Sequence, residues 1–242
     1  MTDQAQKQST AQEVRRRVLV SRDRIWRIEE LDGSVDGVQS ELRRLVKAGE
    51  LEHLRRGVYW RGHKTRFGMT AASEVQALRK VLGRHVAIGA AGWHATNLLG
   101  LSTQISPVEV LAVTARPPAG FAHLKLIDRS RRVERREQRL TDLEITILEA
   151  LEGWDRYVEE SSEQARARFR DLLEREDVRI DKLVSATKSE PAVVRERLRQ
   201  VLADGGWSSE ADRVPRARSR SARDRALSVF RDIAPSPAMA TA

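Results

Sequence analysis

Apolar positions in the first 50 residues follow a helical period and predict three helices. The first is predicted over 11–20 with Thr10 as its N-cap, and a short second helix is predicted over 23–31 (DRIWRIEEL). A third helix is predicted between Ser34, a typical N-cap residue, and Gly49, a typical helix stop. Its predicted buried face consists of four apolar residues at helical spacing: Val35, Val38, Leu42 and Leu45.

The opposite face of the third helix is polar and basic. Its outward residues are Asp36, Ser40, Arg43 and Lys47, with Arg44 and Gly37 beside them. The run that follows, LEHLRRGVYW, predicts two short strands around a turn at Arg55, Arg56 and Gly57. Helices followed by a strand pair in this order are typical of a winged helix-turn-helix, which we predict for residues 11–63.

A winged helix suits DNA because the major groove admits one α-helix while the wing lies against the adjacent backbone. Arginine can hold a guanine edge bidentately or bind phosphate, and Gln39 and Ser40 are short enough to approach base edges. The alternative is that the basic face is only solvated. The order of the elements, together with arginines on both the third helix and the wing, favours DNA binding.

The remainder of the chain predicts an α+β domain over 68–206, with a small sheet and C-terminal helices, so that the whole protein is helix-rich α+β. The run RGHKTRFG is interpreted as a linker in front of this domain. Strands are predicted in RHVAIG, PVEVLAVTA and FAHLKLIDR, and SRRVERREQ is predicted to be a charged strand or loop. Helices are predicted at 69–83, within 89–104, and at about 141–152, 162–175, 178–186 and 191–203.

The two ends of the chain are predicted to lie outside both domains. Residues 1–10 are interpreted as a flexible N-terminus. Residues 207–242 carry six arginines between Arg213 and Arg225, together with serines and prolines, which predicts a disordered tail. Such a tail would add salt-sensitive affinity for nucleic acid without sequence preference.

The formal net charge of +9 is unevenly distributed along the chain. The net charges of residues 1–68, 69–140, 141–212 and 213–242 are +5, +6, −7 and +5. This pattern indicates a first half that faces a polyanion and a second half that faces something else. No apolar run approaches the roughly 20 residues of a membrane-spanning helix, and the N-terminus lacks the apolar core of a signal peptide. We therefore expect a cytoplasmic protein.

Three stretches of the sequence resemble a known family: LVKAGELEHLRRGVYW, AAGWHATNLLGLSTQ and SEPAVVRERL. Over roughly residues 20–205 the chain resembles the AbiEi family of antitoxins from type IV toxin–antitoxin systems, which act in phage defence. The resemblance implies a winged helix that binds inverted repeats in its own promoter as a transcriptional repressor. It also implies a second domain that helps to counteract a nucleotidyltransferase-like toxin. The Arg-rich tail is not typical of the family.

The resemblance further implies which residues contact DNA. On the third helix they are Ser34, Gln39, Ser40, Arg43 and Arg44, and on the wing they are Arg55, Arg56 and Tyr59. Lys47 joins them from the helical pattern alone. The family motif in the second domain centres on Trp93, Asn97, Gly100, Thr103 and Gln104, and we do not interpret it as a catalytic site.

The sequence gives little support for metal binding or enzymatic catalysis. The absence of cysteine excludes a disulfide framework, a thiolate nucleophile and thiolate-dependent zinc sites, and we expect no metal, cofactor or enzymatic activity. A metal-dependent nuclease would have to use Glu109 and Asp128, but no E-x-K sequence follows Lys125. A second domain that senses a small ligand remains the alternative function. A further alternative is a second helix-turn-helix in which Arg195, Arg197 and Arg199 face DNA. We prefer the interpretation that these helices form a hairpin packed on the domain core.

Overall fold

The computed structural model describes residues 2–83 and 85–230, with side chains from Thr10 onward, and shows a helix-rich α+β protein. The chain forms two compact units that divide between residues 84 and 85. The expected domain boundary near residue 68 therefore lies further along the chain. The reason is that a helix at 74–82 belongs to the first unit, where Lys80 pairs with Glu30. Among the described residues, no helix is both long and apolar enough to cross a membrane.

The described part of unit 1 (residues 1–84) has the order helix, strand, 3₁₀ turn, helix and strand pair, which matches the predicted winged helix except that a single 3₁₀ turn replaces its second helix. Its elements are α1 (Thr2–Val20), β1 (Arg24–Arg27), α2 (Val35–Lys47), β2 (Glu52–Arg55), β3 (Val58–Arg61), β4 (Lys64–Thr65), β5 (Gly68–Met69) and α3 (Glu74–Leu82). The strands β1, β3 and β2 form an antiparallel sheet in that order, with the β2–β3 hairpin as the wing. The core between α1, α2 and the sheet contains Val18, Trp26 and Leu42.

Three predictions for unit 1 are corrected. The first helix begins at Thr2, so Thr10 lies within it and is not its N-cap. The run 23–31 forms β1 and a single 3₁₀ turn in place of a short helix, because Ile25 pairs with Trp60 in the sheet and both are buried. The predicted linker at 61–68 contains most of the short β4–β5 hairpin.

The α2 helix begins and ends where the sequence predicts. The Ser34 hydroxyl accepts a hydrogen bond from the Gly37 amide, and after Lys47 the chain turns at Gly49, whose φ is +65°. The buried stripe differs in one position. Val35 is 66% exposed and Glu41 is buried, because the stripe is centred on Val38 and Leu45 and leaves Val35 at its edge in the first turn.

Unit 2 (residues 85–242) has a three-stranded sheet covered by helices. Its elements are β6 (Ile88–Ala90), α4 (Gly92–Leu98), β7 (Glu109–Val113), β8 (Leu124–Asp128), α5 (Val133–Glu137), α6 (Asp142–Glu152), α7 (Trp154–Tyr157), α8 (Ser162–Leu173), α9 (Ile180–Ala186), α10 (Ala192–Asp204), α11 (Ser208–Arg213) and α12 (Arg220–Leu227). The strand β7 lies between β6, to which it is antiparallel, and β8, to which it is parallel. The α6 helix, which is buried along most of its length, forms the centre of the core.

Two predictions for unit 2 are corrected. The charged run 130–138 contains the α5 helix and no strand. The described part of the predicted tail, residues 207–230, forms α11, α12 and a 3₁₀ turn. It is held against α10 because the Glu196 carboxylate accepts a hydrogen bond from the Ala217 amide and Arg197 donates to the Ala226 carbonyl. The remaining predicted tail, 231–242, and the first residue of the predicted flexible N-terminus lie outside the described residues.

Candidate nucleic-acid interface

A groove of about 980 Å³ runs between α2 and the wing in unit 1. Five of the nine predicted DNA-binding residues line it: Gln39, Arg43, Lys47, Arg56 and Tyr59. They are joined by Ile28, Glu29, Val46, His53 and Gly57. The groove therefore brings side chains of the helix and the wing onto one surface.

The helical period of α2 and the tight turn of the wing place these side chains. Gln39, Arg43 and Lys47 are spaced by four residues and so form one stripe along α2. Arg56 lies at the tip of the hairpin, where Gly57 adopts a φ of +73°, a conformation that glycine accepts without strain. The cationic groups of two separate elements thus line one concave surface.

The basic residues of the groove have no acidic partner among the residues that the structure describes. Within the described part of unit 1, the side chains of Arg43, Lys47 and Arg56 make no ion pair or hydrogen bond, and Arg43, Lys47 and Arg56 are exposed. The acidic residue that lines the groove, Glu29, accepts a hydrogen bond from Arg27 at 3.0 Å. The surface consequently carries positive charge that is available to an anion.

Several other basic side chains of unit 1 are paired with carboxylates. Lys64 lies 2.5 Å from Glu50, and Arg61 lies 3.3 Å from the same carboxylate. The pKa of Glu50 is lowered, first by the hydrogen bond from Lys64 and then by the positive charges around it. Arg22 and Arg66 are also exposed and make no ion pair among the described residues, so the groove is distinguished only by bringing three unpaired cations onto one concave surface.

The other four predicted DNA-binding residues do not line the groove. Ser34 caps α2, and Ser40 is exposed on the neighbouring side of the helix. Arg44 lies 3.4 Å from the carboxylate of Glu41, which is itself buried. Arg55 is half-buried at the end of β2. These positions leave Arg43 as the arginine of α2 that faces the groove.

The sequence reasoning missed His53, which lines the groove beside Tyr59. The two residues are paired across the β2–β3 hairpin, and their ring centroids lie 5.1 Å apart. Counting outward from the predicted turn would have placed His53 opposite Tyr59, since directly paired residues of a hairpin share one face. Tyr59 is almost entirely buried, so only part of its ring borders the groove.

The motif in unit 2 forms the end of α4 and the loop that follows it. Asn97 donates a hydrogen bond to the Ser102 carbonyl, and Gly100 has a φ of +69°. The Glu159 carboxylate accepts hydrogen bonds from the Ser102 hydroxyl and the Thr103 amide, and its pKa is lowered mainly by the Ser102 bond. The backbone amide of Gln104 donates to the Ser102 hydroxyl, and Trp93 packs against Tyr157. These contacts stabilise a turn.

The residues considered for a metal-dependent nuclease are far apart in the sheet. Glu109 is the first residue of β7 and Asp128 is the last residue of the parallel strand β8, so they lie at opposite ends of the strand pair. In the described ranges, no group of three acidic or histidine side chains is placed to hold a metal ion.

Two of the three arginines considered for a second helix-turn-helix do not face outward to DNA. Arg197 is buried and donates to the Leu151 and Ala226 carbonyls, and Arg199 donates to the Ala211 carbonyl and to Asp212. Both arginines therefore hold α10 to its neighbours, which agrees with the helical hairpin packed on the core.

Comparison with family models finds no match to the chain, and comparison with curated proteins likewise finds none. Among solved structures, the chain is similar to the crystal structure of the Rv2827c protein from Mycobacterium tuberculosis. The two are 14% identical over 85% of this chain and 80% of that one, with a TM-score of 0.44. A likeness of that strength does not define a shared function.

Proposed function

We propose that the protein binds double-stranded DNA through unit 1 and represses its own promoter. The observation that carries this proposal is the groove in which Arg43, Lys47 and Arg56 have no acidic partner within the described part of the chain. A polyanion supplies the missing negative charge, and release of its counterions adds to the affinity. The α2 helix would lie in the major groove, with the wing against the neighbouring backbone.

The first turn of α2 offers a further contact with bases. Val35 is an apolar side chain that is two-thirds exposed, next to the N-cap residue Ser34. The N-terminal residues of a recognition helix are the ones that reach base edges, and the thymine methyl group is an apolar partner in the major groove. The sequence predicted that Val35 is buried. Because it is exposed, we propose that it contacts a thymine methyl group.

We further propose that the protein is the antitoxin of a type IV system and counteracts a nucleotidyltransferase-like toxin in the cytoplasm. Support for this comes from the resemblance of the wing and of residues 90–104 to the AbiEi family. The proposed DNA sites are inverted repeats, which a dimer or two adjacent monomers would occupy. We expect a nucleotidyltransferase gene next to this one, and co-expression of the two should restore growth, whereas a toxin that still arrests growth would contradict this part of the proposal.

The first test of DNA binding is a gel-shift titration on the protein's own upstream DNA and on a scrambled duplex, at two salt concentrations. We expect preference for the upstream DNA to persist at the higher salt, because base contacts are less sensitive to salt than phosphate contacts. If the protein binds both duplexes equally and binding disappears at high salt, the groove attracts DNA only through non-specific charge.

Variants of neighbouring arginines sharpen this test. Arg43→Ala should weaken specific binding by about 1–3 kcal/mol and relax the sequence preference. Arg44→Ala is the matched control, since Arg44 is paired with Glu41 on the side of the helix, and it should have the smaller effect. Arg56→Ala should weaken all sequences about equally and reduce the salt dependence by about one phosphate contact. Equal effects of Arg43→Ala and Arg44→Ala would contradict the assignment of the groove.

A further inference from the structure

Unit 2 contains a cavity of about 670 Å³ that the proposed DNA contact does not use. It opens between the β7–β8 strand pair and the helices α4, α6 and α7. Its volume falls within the range of about 300–1,000 Å³ that is usual for sites that bind small molecules. Val110 and Ile127 contribute apolar surface from the sheet, and charged and aromatic side chains contribute the rest.

One wall of the cavity is aromatic and rigid. Trp93 and Tyr157 meet edge to face, with ring centroids 5.2 Å apart. The Tyr157 ring lies so close to Gly153 that an added Cβ atom there would stand 2.6 Å from Cδ2. Gly92, whose φ is +59°, approaches the same ring. The two glycines thus leave room for the Tyr157 ring, which is held beside Trp93 without a ligand.

The carboxylates of the cavity are already neutralised. Arg129 donates to both oxygens of Glu149, at 2.9 and 2.8 Å, and to Glu152 at 2.9 Å. Asp155 accepts a hydrogen bond from the buried guanidinium of Arg197. Every acidic side chain that lines the cavity is therefore ion-paired.

Two cations of the cavity are not paired. Within the described residues, the side chains of Lys125 and Arg156 make no ion pair or hydrogen bond, and Lys125 and Arg156 are exposed. With the acidic side chains neutralised, these two leave an excess of positive charge beside an aromatic wall. Negative charge on a ligand would be attracted to them, and a flat ring would pack on Trp93 and Tyr157.

We propose that this cavity binds a small organic anion that carries a planar ring. Lys125 and Arg156 bind the carboxylate or phosphate group, and the aromatic wall binds the ring. The site lies within unit 2, so the proposal does not depend on DNA binding by unit 1. Aromatic carboxylates and nucleoside monophosphates share this chemistry and are distinguished by experiment.

The test is isothermal titration calorimetry on the full chain with salicylate and with AMP. Benzylamine, a ring with a positive charge, and inorganic phosphate, an anion without a ring, serve as controls. We expect at least one of the two ring-bearing anions to bind with a Kd below about 1 mM and at least tenfold more tightly than both controls. The more tightly bound probe identifies the ligand class. Failure of both probes, or equal binding of benzylamine, would overturn the proposal.

Variants separate the two parts of the site. Lys125→Gln/Arg156→Gln should weaken binding of the preferred probe by about tenfold or more, because each lost charge removes a charge-assisted hydrogen bond. Lys188→Gln/Arg136→Gln removes the same charges from exposed positions outside the cavity and should leave affinity within about twofold. Tyr157→Leu should weaken AMP or salicylate but not phosphate. Unchanged affinity in the Lys125/Arg156 variant, with its fold confirmed by circular dichroism, would refute the site.

Discussion

Gly33 lies where α1 meets the turn that leads into α2. Its φ is +129°, and a Cβ atom at this position would stand 2.2 Å from Cγ2 of Thr10. Gly33→Ala should therefore destabilise unit 1 by roughly 2–5 kcal/mol, combining a backbone penalty with a steric overlap. Urea unfolding followed by circular dichroism measures the change.

The matched control for this substitution is Gly49→Ala at the end of α2. Gly49 also has a positive φ, +65°, but nothing lies within 4 Å of the position that its Cβ atom would occupy. Only the backbone penalty applies, so the loss should be about 1–2 kcal/mol. If the two variants unfold at the same urea concentration, the overlap with Thr10 does not destabilise the Gly33→Ala variant.

Single residues show how far the sequence predicts this fold. Ser34 and Gly49 act through local hydrogen bonds and φ preferences, and both were predicted correctly. Val35 and Glu41 were not, because their burial depends on where α1 crosses α2 and on the charges of Arg15 and Arg44 near Glu41. Periodicity locates a buried stripe but not its edges. The groove residue His53 was missed because its position depends on strand pairing across the hairpin and not on helical period.

A buried ion-pair network connects three elements of unit 2. Arg135 on α5 donates to both oxygens of Glu190, at 2.6 and 2.9 Å, and to Glu149 of α6 at 2.6 Å. Glu190 lies just before α10, and all three side chains are almost completely buried. The network therefore fixes the positions of α5, α6 and the start of α10 relative to one another.

Removal of one partner from this network should be costly. Arg135→Met leaves Glu190 buried without its bidentate partner, and we expect a loss of about 3–5 kcal/mol. Arg136→Met, on the exposed side of the same helix, should change stability by no more than about 0.5 kcal/mol. Differential scanning calorimetry of the two variants measures both effects, and similar melting temperatures would show that the network does not stabilise the fold.

Elements were predicted well where burial follows a regular period. The helices α6, α8 and α10 have such a period and lie within one or two residues of their predicted ends at most boundaries. The α5 helix was missed because its apolar content is low and its buried residue is the charged Arg135. The segment 207–230 was predicted to be disordered from its arginines, but its small apolar residues Val214, Ala217 and Ala226 are buried and fix it in place.

At the scale of the whole molecule, the two units use arginine in different ways. In the described residues of unit 1, the arginine and lysine side chains of the groove have no acidic partner. In unit 2 the excess of acidic residues that the sequence shows over 141–212 is met by buried or half-buried arginines, including Arg129, Arg135 and Arg179. The sequence predicted a division of charge, but only the structure shows that the buried carboxylates Glu144, Glu149 and Glu190 of the acidic block are neutralised by arginines.

That neutralisation makes the stability of unit 2 sensitive to acid. Burial alone would raise the pKa of Glu149, but the hydrogen bond from Arg129 and the charges of Arg135 and Arg129 outweigh it and lower the pKa below the ordinary 4.5. The same competition lowers the pKa of Glu144, where Arg179 and the Thr141 amide supply the hydrogen bonds. A carboxyl group with a lower pKa in the folded state contributes stability above its unfolded pKa and loses it as the pH falls through the folded value.

We therefore expect unit 2 to keep its full stability above about pH 4.5 and to lose it progressively below that pH. Hydrogen exchange followed by mass spectrometry reports on peptides from each unit separately, so α6 and α10 can be followed as the pH is lowered. Glu144→Gln should reduce the pH dependence of α6 protection below pH 4.5, since the substituted side chain no longer binds a proton. Glu176→Gln, at an exposed position, is the control and should leave that dependence unchanged. The prediction is wrong if protection of α6 falls equally steeply with pH in the wild-type protein and in both variants. The Glu144 ion pair would then not link folding to pH.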